Sequence, residues 1–229
     1  MTEVPIIVIS SANDGTGKTT LVLNLAAALW ADGFDVGLIS SNPENWQNFL
    51  EKRRILCREN QLNLPFPRIL NNSQQMPYEE GKKQVILADI SSSDNQKYAS
   101  LFEIAHTLIT VAARRPDLDW PLNHPYAKLV WQIRKSAATR GIKYLNWILV
   151  QNQLTAVSDD FSDVITSQSK RFGFRVAAPL HFREAFCHIQ DGFCAADMLL
   201  APQFFKMTMA DVYARREILT LTDFLWQNG

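Results

Sequence analysis

What this chain has little of narrows its chemistry first. Cysteine is scarce: Cys57, Cys187 and Cys194 are the 3 present. None belongs to a C-x-x-C pair, so neither a disulfide framework nor a thiolate zinc site is indicated. They are expected as reduced core thiols, which suits the cytoplasm. His181 and His188 lie near two of them, at spacings that match no familiar zinc pattern. Charge of one sign is not in excess, since 23 Lys and Arg face 23 Asp and Glu. No global field therefore draws the chain to nucleic acid or to a membrane surface. No apolar run reaches membrane-spanning length, and no basic leader precedes an apolar segment at the start, so no membrane or secretory route is expected. No internal repeat, low-complexity tract or linker interrupts the sequence. Of its 229 residues 47% are hydrophobic, enough for one domain over residues 1–229 with a substantial core. Glycine occurs only 9 times, yet Gly15 and Gly17 fall two positions apart.

Those glycines lie in Asn13-Asp14-Gly15-Thr16-Gly17-Lys18-Thr19-Thr20. Before this stretch, Val4 to Ile9 is a short apolar, β-branched run that predicts a buried strand. After it, Leu21 to Trp30 predicts a helix, with Gly33 as its stop. Strand, glycine-bearing turn and helix is the setting of a phosphate-binding loop. Gly15 and Gly17 let backbone N–H groups turn onto a phosphate, and the helix N-terminus adds partial positive charge. Lys18 can reach the β- and γ-phosphates, and the Thr19 hydroxyl can ligate Mg²⁺. The usual opening glycine of the motif is Ala12 here. An ordinary tight turn would account for the glycines but gives Lys18 no reason to follow.

Strand and helix then alternate. Strands are expected at Asp35 to Ile39, Gln84 to Asp89, Thr107 to Val111, Leu145 to Val150 and Phe174 to Ala178, with a short one at Arg68 to Leu70. Helices are expected at Trp46 to Asn60 (Phe49, Leu50, Ile55 and Leu56 on its apolar face), Tyr98 to Ala105, Tyr126 to Arg140 stopped by Gly141, Asp159 to Phe172, and Lys206 to Trp226. The rhythm implies an α/β fold, a mainly parallel twisted sheet with helices on both faces. Ligands of such sheets bind at the carboxyl ends of the strands. Asp89, the acid closing an apolar strand, suits a water-mediated Mg²⁺ contact. From Trp120 to Ser158 there is no acid, while Lys128, Arg134, Lys135, Arg140 and Lys143 are present. This is a candidate surface for nucleic-acid phosphates, the plain alternative being a solvated helix face.

The loop Asn13 to Thr20 resembles the deviant phosphate loop of the ParA/MinD ATPases, Lys-Gly-Gly-x-Gly-Lys-Thr-Thr. Within that group the chain is similar to the MipZ division-plane positioning ATPases, through Ala105 to Thr110, His124 to Trp131, Trp147 to Leu154, Arg171 to Arg175 and Arg183-Glu184. The resemblance covers most of the chain. It implies a P-loop NTPase fold, ATP and Mg²⁺ as cofactors, and a nucleotide-dependent homodimer that binds DNA non-specifically. It implies a ParB-type protein and FtsZ as partners. By position, Gly15, Thr16, Gly17, Lys18, Thr19 and Thr20 would hold the phosphates, Thr19 and Asp89 the Mg²⁺, and Asn152 would face adenine.

The departures fall where catalysis would be. The signature lysine is Asn13, and its neighbouring glycine is Asp14. The family's Asp-x-Asp after the second strand is Ser40-Ser41-Asn42. Its Asp-x-Pro-Gly is Asp89-Ile90-Ser91-Ser92. Phosphoryl transfer depends on positioning and charge stabilisation, so binding is expected to survive and hydrolysis to be weak or lost. A catalytically degenerate scaffold that keeps the fold and its protein contacts is the alternative. A metabolic ligase of the dethiobiotin synthetase type shares the fold, but needs a substrate-holding lysine after the second strand. Ser40 to Asn48 contains none, and fold alone does not assign function.

Overall fold

The elements in chain order are β1 (Ile6–Ser10), α1 (Lys18–Ala31), β2 (Asp35–Ser40), α2 (Pro43–Asn60), β3 (Arg68–Ile69), β4 (Gln84–Asp89), α3 (Ala99–Glu103), β5 (Thr107–Ala112), α4 (Pro125–Thr139), β6 (Asn146–Gln151), α5 (Ser162–Phe172), β7 (Arg175–Val176) and α6 (Met209–Trp226). Short 3-10 turns join them, among them Glu184–Asp191 and Ala195–Leu199. This is a computed structural model, which describes residues 3–118, 120, 124–139, 145–155, 161–199, 201 and 207–227.

The strands β1, β4 and β5 are buried at every position, as central strands covered on both faces must be. The seven strands form one sheet in the order β3-β2-β4-β1-β5-β6-β7, and every pairing is parallel. Alternation along β1 splits its side chains between two cores. Ile7 and Ile9 pack with Leu25 of α1, Trp46 of α2 and Ile218 and Leu221 of α6. Ile6 and Val8 pack on the other face with Phe102 of α3, Val130 of α4 and Ile165 of α5. Helix α1 is buried nearly all round, from Leu21 to Trp30, because α6 and the turn Ala195–Leu199 cover the side that faces away from the sheet.

The register prepares the site. Ile9 and Ser40 both lie opposite Asp89, so the loop after β1, the end of β2 and the acid closing β4 meet at the carboxyl edge of the sheet. Elsewhere in the fold Arg53 of α2 is fully buried and grips the Asp197 carboxylate with two hydrogen bonds of 2.7 and 2.8 Å. Removing either partner would leave a buried charge uncompensated.

Helix α2 begins at Pro43, the helix start that Asn42-Pro43 marks in the sequence, since proline at the first helical position gives up only an N–H that has no helical partner. Several expectations change. Ile55, expected on the apolar face of α2, is exposed. Of the cysteines only Cys194 is buried; Cys57 is half-buried and Cys187 exposed. Strand β7 contains Arg175 and Val176 alone. Arg140, Gly141, Lys143, Asp159 and Lys206 lie outside the described residues.

Candidate functional site

The loop after β1 enters α1 through Gly17, whose backbone is left-handed (φ 82°). A side chain there would also collide with Asn152: a Cβ would stand 2.5 Å from its Nδ2. No side chain caps α1, and its first turn carries no acid. The first-turn N–H groups of a helix have no helical partners, so this end is open to an anion. Lys18, the first residue of α1, is buried, and its Nζ donates to Ser11 Oγ at 2.8 Å and to the Asn13 carbonyl at 3.4 Å. The same Nζ stands 3.5 Å from an Asp14 carboxylate oxygen. The Thr16 hydroxyl is buried with no hydrogen-bond partner, a cost of about 1–3 kcal/mol borne by this same loop.

At the next position of α1, Thr19 Oγ1 donates to Asp89 Oδ2 at 2.7 Å. Trp46 Nε1 donates to the same oxygen at 3.1 Å. Burial pushes the Asp89 carboxyl above its ordinary value, against the pull of the Thr19 and Trp46 hydrogen bonds and the Lys18 charge. Thr19 and Asp89 are hard oxygen donors, the type Mg²⁺ takes. They line a cavity of about 480 Å³ together with Gly15, Lys18, Asn42 and Asp94. An uncapped helix end, a lysine, an orphaned loop hydroxyl and two oxygen donors fit a Mg²⁺-bound phosphate chain. Trp46 has no sequence signature for this task; from the pattern it is one more apolar residue of α2.

Asn152, expected to face adenine, spends its amide on the loop: Nδ2 donates to the Thr16 carbonyl at 2.8 Å. It also lines a slot of about 80 Å³ with Gly17, Leu180, Phe182, Phe186 and Ile218. At the rim of that slot Glu217 of α6 accepts from Arg183 Nη2 at 2.6 Å and from the His181 backbone N–H at 3.1 Å. This cluster was not legible in the sequence, because its members come from separate segments.

Asn13, Asp14, Ser40, Asn42 and Ser92, which depart from the family pattern, have partners inside the chain. Asn13 Nδ2 donates to Asp117 Oδ1 at 3.0 Å. Asp117 is buried, and its other oxygen accepts the Ala113 and Arg114 N–H groups at 2.8 Å. The Ser92 N–H donates to Asp14 Oδ1 at 3.3 Å. Hydrogen bonding from the Ser92 side chain, with its N–H and the Lys18 charge adding less, holds the Asp14 carboxyl below its ordinary value, burial opposing them. The Asn42 N–H donates to Ser40 Oγ at 3.0 Å, closing a small turn where the family has two carboxylates.

The candidate basic surface is described in part. Lys128 and Lys135 are exposed on α4, but Arg134 donates from Nη1 to the Phe172 carbonyl at the end of α5. Through that bond it caps the C-terminus of α5.

Comparison with known proteins now adds to this geometry. The family model ATPase MipZ matches residues 5–113 and 118–226. The chain belongs to the MipZ ATPase family. Its parallel sheet is that of the P-loop NTPases. No curated protein sequence matches it significantly. Among solved structures, a Cyanothece McdA variant complexed with ATP shares 13% identity at a TM-score of 0.62, over 100% of this chain and 99% of that one. A Borrelia burgdorferi plasmid partition protein bound to AMPPNP shares 13% at 0.59, over 99% and 100%. MinD of the Aquifex aeolicus MinC:MinD complex shares 15% at 0.58, over 98% and 96%. Among the described residues of this MipZ-family chain, no helix is long and apolar enough to cross a membrane.

Proposed function

We propose that this chain is a nucleotide-binding switch of the MipZ/ParA kind, which takes an adenine nucleotide with Mg²⁺ and turns it over slowly or not at all. The observation that carries the reading is the meeting of Lys18, Thr19 and Asp89 at the uncapped start of α1. Bound, the nucleotide supplies a charged phosphate chain and Mg²⁺ screens it. Gly15 to Thr20 present N–H groups to the phosphates, and Lys18 neutralises them. Thr19 and Asp89 would hold the cation, with Trp46 fixing the carboxylate. Asn152 braces the loop beside the slot where a purine would lie.

The rest rests on the family. We infer a single domain over residues 1–229, a cytoplasmic setting, a nucleotide-dependent homodimer, and roles in placing the division plane or segregating chromosomes. A ParB-type protein, FtsZ and non-specific DNA are the proposed partners. A degenerate scaffold is the second reading, favoured by one contact: Asn13 is tied to Asp117 of its own chain and carries no charge to offer a partner's nucleotide.

Phosphate release and sedimentation test the first reading. The native chain should show slow turnover and little ATP-dependent dimer. The double change Asn13→Lys with Asp14→Gly should recover ATP-dependent dimerisation and raise turnover about a hundredfold, the scale of one preorganised charge contact. Robust turnover by the native chain would show the reading of Asn13 wrong.

A further inference from the structure

We propose that Asp14 is a specificity-determining residue that makes this site select nucleoside diphosphates over triphosphates, an inference that rests on the nucleotide reading above. Three observations carry it. First, the Asp14 carboxylate holds two groups at once: it stands 3.5 Å from Lys18 Nζ and accepts the Ser92 N–H at 3.3 Å. Those are a cation and a backbone donor, the pair a terminal phosphate oxygen would recruit. Second, Lys18 is already committed within its own loop, to Ser11 Oγ, the Asn13 carbonyl and Asp14. Third, the cavity wall carries the carboxylates of Asp14, Asp89 and Asp94 against Lys18 as the one cation among its described lining residues.

Like charges close together repel. The first two phosphates can draw on the α1 N-terminus, Mg²⁺ and part of Lys18. A third phosphate adds further negative charge and competes with a fixed carboxylate for the same lysine and the same N–H. Asp14 is 68% exposed, so solvent weakens the effect without removing it. The carboxylate thus acts as an in-chain substitute for the terminal phosphate, joining the phosphate loop to the loop after β4 whether or not a triphosphate arrives. A switch built this way would be held in one state by its own sequence.

The test is isothermal titration of the full chain with MgADP and with a Mg²⁺-bound non-hydrolysable ATP analogue, for the native protein, Asp14→Asn and Asp14→Ala. The native chain should bind ADP about tenfold more tightly than the analogue, the scale of one charged contact. Both variants should gain about tenfold for the analogue while ADP affinity changes little, because the gain comes from removing charge. A native preference for the triphosphate overturns the proposal, as does an equal gain for both nucleotides. A gain in Asp14→Ala alone also overturns it, since bulk and not charge would then be the obstacle. If neither nucleotide binds any of the three proteins while circular dichroism shows them folded, the nucleotide reading itself falls and takes this one with it.

Discussion

Asp89 shows how one residue trades stability for a site. Its carboxyl is buried, and burial raises its pKa above the ordinary 3.8. A raised acid binds its proton more tightly folded than unfolded. It therefore favours folding below the ordinary value, and that contribution is lost as pH rises through the raised one. At neutral pH the ionised, buried group is a liability that a bound cation would offset. Asp89→Asn should accordingly melt about 2–4 °C higher without Mg²⁺, the shift expected from roughly 1 kcal/mol in a chain of this size. Mg²⁺ with ADP should further stabilise the native protein, and the same variant should lose that gain. Thermal scans with and without the two ligands read both effects. A variant that melts lower without Mg²⁺, or that keeps the ligand shift, would contradict this view of Asp89.

At the scale of elements, α4 and α5 define the basic face. Arg134 is bound to the Phe172 carbonyl, yet Lys135, Lys170 and Arg171 rim a groove of about 620 Å³ beside the exposed Trp131. If DNA is bound here, backbone charge and not sequence sets the affinity. Lys135→Ala with Lys170→Ala should weaken binding to two unrelated duplexes alike and flatten the salt dependence by about 0.9 in log–log slope for each lost phosphate contact. Fluorescence anisotropy across a salt series measures this. Affinity that ignores salt, or a strong preference for one duplex, would remove the phosphate-contact account. The elements legible in the sequence were those with a local signal. The apolar β-branched runs of β1, β4 and β5 and the glycine-flanked start of α1 needed no distant partner to be read. Strands β3 and β7 fall inside the stretches expected for them but span only two residues each, too few for periodicity to set their bounds. Ile55 fits a helical apolar stripe, but α2 packs through Trp46, Phe49, Leu50 and Arg53, which turns Ile55 outward. The contacts that tune the site were illegible for another reason. Asn13 meets Asp117 across 104 positions and Arg53 meets Asp197 across 144, separations over which no sequence pattern speaks.

For the whole molecule, the sheet places one core on each face and leaves its carboxyl edge for chemistry. The loop after β1, the end of β2 and the end of β4 meet there by register, and α1 is locked beneath them by α6. That arrangement has a single functional claim at its centre: Lys18 and its loop bind the phosphates of an adenine nucleotide. The direct measurement is titration of MgADP against the native chain and Lys18→Ala, with both shown to be folded. Loss of a charged hydrogen-bonding contact is worth about 1.5–3 kcal/mol, so the variant should bind roughly ten- to a hundredfold more weakly. Equal affinity of the two proteins, or no binding by the native chain, would contradict the account.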